Sequence, residues 1–419
     1  MGHRASARRH ASASATDISS VAFWSSSFEE RDVSFAELRA HDPVSWQPAL
    51  ETPGLASRYE EPGFWAVCTA AEIRHVSTHH ELFSSERGQV NVRPKPFWIA
   101  ENMLVLDPPR HTVYRQVLNH AFAARSMRRL EPLIASTART LVRAMLRVDR
   151  FDLVHAVSST MPVRTVAHLL GVPLDQHDRF VRLVGSYLST GVGAVLPEGT
   201  DHDTHIAQQG QDLRQACLDL AAWKRRHPAD DLMTRLVEAR VDGSPLADEA
   251  LASTVLLLVV AGSDTTTHAT TLAYLALEEF PEQRAWLVQD WDRRFDQAFE
   301  ELVRHASPVL SFARTATEDT RLGDRLISAG DKVALFYCSG NRDESVFPDP
   351  ARLDLQRPPR QHVAFGGGGV HFCLGSTLAR MQVKAVLAEL YRAPRLHVGP
   401  PTFGVGEEVR SVLALPVAW

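Results

Sequence analysis

The strongest constraint on this chain lies between two prolines. Ser244-Pro245 reads as an N-cap followed by proline in the first helical turn, and the next proline is Pro281. The spacing predicts one helix of about 35 residues, roughly 50 Å long at about 1.5 Å per residue. Positions 255–260 are apolar on every face, so the middle of this helix belongs inside the protein. That middle then runs into "AGSDTTTHATT", residues 261–271. Gly262 costs roughly 1 kcal/mol relative to alanine, and threonine is a poor helix former. Asp264 places a carboxylate where an unpaired charge is expensive. Two readings compete. The first is a tolerated kink, with threonine hydroxyls bonding back to carbonyls one turn earlier. The second is a helix that opens to admit a small molecule, with Asp264 and Thr265 passing protons to it.

A second rule-breaking stretch is "FGGGGVHFCLG", Phe365 to Gly375, followed by the helical spacing of Leu378, Met381, Ala385 and Leu390. A phosphate loop is excluded, because neither G-x-x-x-x-G-K-[ST] nor G-x-G-x-x-G can be drawn through it. His371 and Cys373 are too few and too closely spaced for a zinc site. A buried structural thiol would leave the glycines unexplained. A lone thiolate at a helix N-terminus explains them: free N–H groups and the helix dipole stabilise the sulfur anion. The glycines would let the backbone lie flat against a large planar cofactor, and haem iron with an axial cysteine fits.

The rest of the chain supplies context. With 44% hydrophobic and 23% charged residues, the composition is ordinary for a globular protein with a sizeable core. The net charge of -5 gives no case for a nucleic-acid partner or an anionic membrane surface. Cys68, Cys217, Cys338 and Cys373 form no C-x-x-C pair, which fits a reduced cytoplasmic compartment. No run approaches the roughly 18 continuous apolar residues of a membrane anchor. The Arg/Ala/Ser-rich residues 1–19 read as a disordered tail, and residues 20–419 as one domain. Ser34 to Glu37 reads as a capping box opening a short helix to His41. Residues 43–48 and 63–68 read as strands, 70–300 as mostly helical, and 321–338 as strand and turn. The expected fold class is mostly α with a small β part.

On the cysteine loop and the buried helix together, the chain resembles the soluble, bacterial-type cytochrome P450 family. Gly367 or Gly369, His371, Cys373 and Gly375 match its F-G-x-G-x-H-x-C-x-G pattern. Phe365 stands one place further from the cysteine than usual, with Gly366 in the common Phe position. That longer spacing is similar to actinobacterial sterol and branched-lipid hydroxylases. Ala261, Gly262, Ser263, Asp264 and Thr265 match the oxygen-activation motif. By resemblance Asp264 and Thr265 are the acid–alcohol pair that delivers protons to dioxygen, with Ala261 and Gly262 beside the cofactor. Glu301 and Arg304 match ExxR, a pattern that also occurs at 318–321, 389–392 and 407–410. Arg352 would complete that structural cluster. "DPPRHTVYR" would place His111 and Arg115 on haem propionates, joined by Arg314 and His371, with Phe365 and Gly366 packing beside the haem.

The resemblance implies a monomeric haem b monooxygenase that activates O2 and hydroxylates or epoxidises a hydrophobic sterol, lipid, terpenoid or polyketide. Electrons from NAD(P)H would arrive through a ferredoxin reductase and an acidic ferredoxin, which docks on Arg125, Arg128, Arg129, Arg380 and Lys384. A peroxide-driven peroxygenase and a non-catalytic haem sensor are the alternatives; the Asp264-Thr265 pair weighs against both. Apolar candidates for the substrate pocket are Trp98, Met103, Val260, Val309, Leu310, Phe312 and Phe403, with the 180–200 region.

Overall fold

The computed structural model describes residues 14–51, 62–87, 90–93, 101–188, 202–241 and 243–419. Helices carry most of it, as expected. The organising element is the helix Asp248–Glu279, which packs against Thr160–Leu169, His202–Arg226, Trp291–Ala306 and Ser376–Arg392. It is long and apolar enough to cross a membrane by composition, yet most of its apolar window is buried inside the protein. Its start differs from the proline reading. Ser244-Pro245 pairs as a short strand with Arg240–Val241, and the helix opens after Ala247 with Asp248 and Glu249 in its first turn. The hairpin takes the residues that the capping rule had assigned to the helix, and the two acids complement the N-terminal dipole.

The β part is a five-stranded sheet in which Val44–Gln47, Phe64–Val67, Lys332–Phe336, Ser311–Ala316 and Phe83–Ser84 lie side by side in that order. Only the pairing of 64–67 with 332–336 is parallel. Both predicted N-terminal strands are there, buried along their whole length. At the other end of the chain, Val412–Ala414 pairs with Thr402–Phe403, and Pro416–Ala418 joins His397–Val398 and Arg150–Asp152.

Two N-terminal expectations are corrected. Residues 14–19 are part of the domain: Ile18 is fully buried, its N–H donates to Gln47 Oε1 (3.1 Å), and its carbonyl accepts from Trp24 Nε1 (2.8 Å). Residues 1–13 lie outside the described residues. The helix assigned to Ser34–His41 in fact spans Phe28–His41. Its capping box is Ser27 with Glu30, because the apolar spacing of Phe28, Phe35 and Leu38 already faces the core one turn earlier.

The long turn-rich segment before Cys373 is held from below by one ion-pair cluster. Arg304 donates to both oxygens of Glu301 (2.7 Å each) and to the carbonyls of Asn341 (2.8 Å) and Pro350 (2.9 Å). The third arginine of the cluster is Arg357, not Arg352. Arg357 Nε reaches Glu301 Oε1 (3.2 Å), while Arg352 points its side chain to solvent and offers only its carbonyl. The reason is geometric: the turn at Asp349–Leu355 brings backbone against Glu301, so the arginine that reaches back comes from beyond the turn.

Candidate functional site

Cys373 sits just ahead of the helix Ser376–Arg392, whose N-cap is Gly375. Its N–H donates to Phe365 O (3.0 Å), closing the glycine loop onto its own start. Burial pushes the Cys373 thiol up from its ordinary value, while the N–H groups of Gly375 and Ser376 and the charge of Arg115 act the other way. Such a sulfur is a poor free thiolate. A cation that replaces its proton, with those N–H groups already aimed at it, makes it a good ligand.

The glycines have a reason that the sequence reading did not see. Gly366, Gly368 and Gly369 occupy the left-handed region (φ 93°, 99° and 69°). A Cβ at Gly367 would lie 2.4 Å from Ser77 Oγ, and one at Gly369 would lie 2.1 Å from Ser77 O. The loop therefore rests directly on the helix Ala70–Thr78. By contrast, no atom lies within 4 Å of a Cβ at Gly375, and Gly366 meets only His371 O at 4.0 Å. Those are the two glycines whose open side fits a flat group. Phe365, despite its shifted place, stacks on Phe299 (6.1 Å between centroids) and meets Phe372 edge-on (6.4 Å).

Four bases from three segments gather beside this loop. His111 and His371 lie 4.6 Å apart, ring centre to ring centre. Burial and the Arg115 charge lower His111 to about 4, and both of its buried ring nitrogens lack a partner. Burial, then Arg314 and His111, lower His371 to about 2; its Nε2 meets Ser85 Oγ at 3.2 Å. Arg115 donates to the carbonyls of Val370 (2.9 Å) and Phe372 (2.8 Å), and buried Arg314 only to its neighbour Ala313 (2.7 Å). None of the four pairs with a carboxylate among the described residues. Arg115 and Arg314 carry positive charge with no counter-charge among those residues, and the neutral His111 has ring nitrogens without a partner, so the cluster fits a ligand that brings carboxylates of its own. Haem brings two.

On the long helix, Val260, Ala261, Gly262, Asp264 and Thr265 form an accessible stripe within an otherwise buried stretch. No kink is needed. The helix stays continuous and Thr265 Oγ1 donates to Ala261 O (2.7 Å), as do Thr267, Thr270 and Thr271 to carbonyls one turn back. Gly262 allows the helix Thr160–Leu169 to approach: its Cβ would lie 3.1 Å from Val166 Cγ2. Asp264 is not the unpaired buried charge expected from sequence. Its side chain is 30% accessible, and Oδ1 lies 3.2 Å from Nε2 of His268. His268 went unnoticed in the sequence, although Asp and His four apart share a helix face.

The pocket candidates divide. Val260, Met103, Val309 and Phe312 are half-buried and Phe403 is exposed. Leu310 is a correction: at 1% exposure it belongs to the core that holds Trp24 and Phe336, whereas Val309 packs against the separate cluster around Trp65 and Tyr337. Trp98 and residues 189–200 lie outside the described residues. Of the proposed docking bases, Arg125 and Arg128 are exposed, whereas Arg129 pairs with Asp230 (2.6 Å), Arg380 with Glu300, and Lys384 with Asp292 (3.8 Å).

A single cysteine sulfur framed by backbone N–H groups, beside bases that await carboxylates, defines the site of a haem-thiolate protein. The sequence model of the family Cytochrome P450 matches residues 202–402. The methyl-branched lipid omega-hydroxylase of Mycobacterium tuberculosis is 37% identical over 411 residues, covering 96% of this chain and 94% of that one. The steroid C26-monooxygenase of Mycolicibacterium smegmatis is 34% identical over 84% of this chain and 81% of its own length. A Mycobacterium marinum cytochrome P450 solved in complex with pseudoionone superposes with a TM-score of 0.93 at 40% identity, covering 98% of this chain and all of that one. This chain belongs to the cytochrome P450 family, and it is a monooxygenase.

Proposed function

We propose that this monooxygenase hydroxylates a terminal or branch methyl group of an extended hydrophobic molecule of the branched-lipid or steroid side-chain class, with electrons from a ferredoxin. The observation that carries the substrate class is the likeness over 96% of the chain to a methyl-branched lipid omega-hydroxylase. A steroid C26-monooxygenase among the relatives points the same way. The stripe around Val260 and Ala261 offers an apolar approach to the two polar groups that do chemistry, Asp264 and Thr265.

Haem, when bound, supplies the iron at which dioxygen is activated for insertion into a C–H bond. Cys373 Sγ would hold that iron, tuned by the N–H groups of Gly375 and Ser376. His111, Arg115, Arg314 and His371 would hold its carboxylates, the two arginines by charge and the two neutral histidines as hydrogen-bond donors. At rest the Thr265 hydroxyl donates a hydrogen bond to Ala261 O, which leaves its oxygen free to accept one. To pass a proton the hydroxyl turns away from Ala261 O toward the accessible stripe, takes one proton on its oxygen from the Asp264 carboxyl and releases the other to the bound molecule, and Asp264 is reprotonated from solvent.

The test is a binding and turnover screen of methyl-branched fatty acids, steroids with intact side chains, and compact terpenoids. Difference spectroscopy and product mass spectrometry are read with a ferredoxin and its reductase. Terminal alcohols from the first two groups support the proposal. Turnover confined to compact terpenoids, or oxidation only at ring carbons, contradicts it. Thr265→Ala should send most reducing equivalents to hydrogen peroxide; unchanged coupling would remove Thr265 from proton delivery.

A further inference from the structure

His268 has a contact on each ring nitrogen, and together they fix its protonation. Nδ1 lies 3.1 Å from the backbone nitrogen of Val412. A backbone N–H can only donate, so Nδ1 carries a lone pair and no proton. The ring proton is therefore on Nε2, which lies 3.2 Å from Asp264 Oδ1 and donates to it. Its side chain is 8% exposed, so solvent does not offer a competing partner. Val412 in turn belongs to the C-terminal hairpin, where it stands opposite Phe403.

We propose that His268 is a positioning residue for proton delivery: held as the Nε2–H tautomer by the Val412 N–H, it fastens Asp264 through Oδ1 to the C-terminal hairpin and leaves Oδ2 as the atom that carries the proton. This deepens the role given to Asp264 above and rests on it. Oδ2 has no hydrogen-bond partner among the described residues, and the Asp264 side chain is the accessible member of the pair. His268 is itself no conduit. To pass a proton it would have to gain one on Nδ1, which would set two N–H groups against each other and strip a buried backbone amide of its acceptor. Protons thus reach Asp264 from the accessible side and leave toward Thr265, one residue along and on the same stripe.

The positioning role and a relay role predict opposite results for one substitution. Glutamine places an amide N–H near the Nε2 position but cannot take up a second proton. His268→Gln should keep product formed per NADPH within about twofold of wild type, whereas His268→Phe, which keeps the ring and loses both nitrogens, should lower it about tenfold with peroxide as the balance. A relay would leave both variants equally impaired. Substrate affinity should be unchanged in both. Independently of activity, nitrogen NMR of histidine-labelled protein in its diamagnetic reduced CO form should show His268, assigned by its disappearance in His268→Gln, with a bare Nδ1 and a protonated Nε2. If His268→Gln does not fold, His268→Asn, which can still accept from Val412, serves for assignment. A proton on Nδ1, a charged imidazolium, or a fully coupled His268→Phe that is merely less stable overturns the proposal. Asp264→Asn and Thr265→Ala run alongside: if they too stay fully coupled, the reading of the acid–alcohol pair fails, and not the placement of His268 alone.

Discussion

Replacing Arg357 by alanine separates the structure from the family pattern most sharply. Arg357 Nε pairs with Glu301 Oε1 (3.2 Å), and its other nitrogens donate to the carbonyls of Pro348 (2.6 Å), Asp349 (3.2 Å) and Arg352 (3.2 Å). Its side chain is 9% exposed, so water does not replace these bonds freely. Removing one partner of a buried pair costs about 3–5 kcal/mol when the other charge is stranded. Glu301 is not stranded here, because Arg304 still grips both of its oxygens. What remains is the loss of charge-assisted bonds to backbone carbonyls, together about 2–3 kcal/mol. Arg352→Ala removes an exposed side chain and should stay within about 0.5 kcal/mol. Urea unfolding of the two haem-loaded variants, followed by far-UV circular dichroism and the haem band together, measures the difference. Arg357→Ala should shift the midpoint clearly and loosen haem retention, since the cluster carries the segment that leads to Cys373. Equal effects, or a larger one for Arg352→Ala, would refute the assignment of Arg357 to the cluster.

Two further outcomes follow from the same geometry. Gly369→Ala meets a positive φ and a backbone oxygen 2.1 Å from its new Cβ, so haem incorporation should fall steeply. Gly375→Ala, which meets no protein atom within 4 Å, should leave the loop intact and perturb only the haem spectrum; the reverse order would contradict the loop's support on the 70–78 helix. In the apoprotein, His111 is held down at about 4 and buried His305 well below its ordinary value, first by burial and then by neighbouring arginines. The unfolded chain then binds more protons than the native one below about pH 6.5. Stability is therefore full above that pH and falls on acidification toward pH 4, by up to about 1.4 kcal/mol per pH unit for each histidine. A flat profile of unfolding midpoints from pH 7.5 to 5 would contradict neutral burial of the pair.

How much of this was legible in the sequence depends on the range of the interaction. Local spacing gave the long buried helix, the two N-terminal strands and the helix behind Cys373, because periodicity and turn residues act within a few positions. Competition between neighbouring elements was not legible. Ser244-Pro245 has the form of a cap and became a hairpin strand, and Ser34 has the form of a capping box whose work is done by Ser27. Interactions between distant segments were missed for the same reason. Nothing near Arg357 in sequence says that the turn at 349–355 delivers it to Glu301. The pressure of the 70–78 helix on Gly367 and Gly369 is likewise invisible without the fold. Asp264-x-x-x-His268 has the spacing of a one-turn pair and was passed over; what could not be read at all was the Val412 N–H that fixes the ring's tautomer from 144 residues away.

The most direct test of the account is the reduced CO difference spectrum of the haem-loaded protein beside that of Cys373→Ser. If Cys373 Sγ is the axial ligand, the wild type shows the long-wavelength thiolate band that names the family, and the serine variant loses it. A thiolate band that survives in Cys373→Ser would place the haem elsewhere and contradict the site described above.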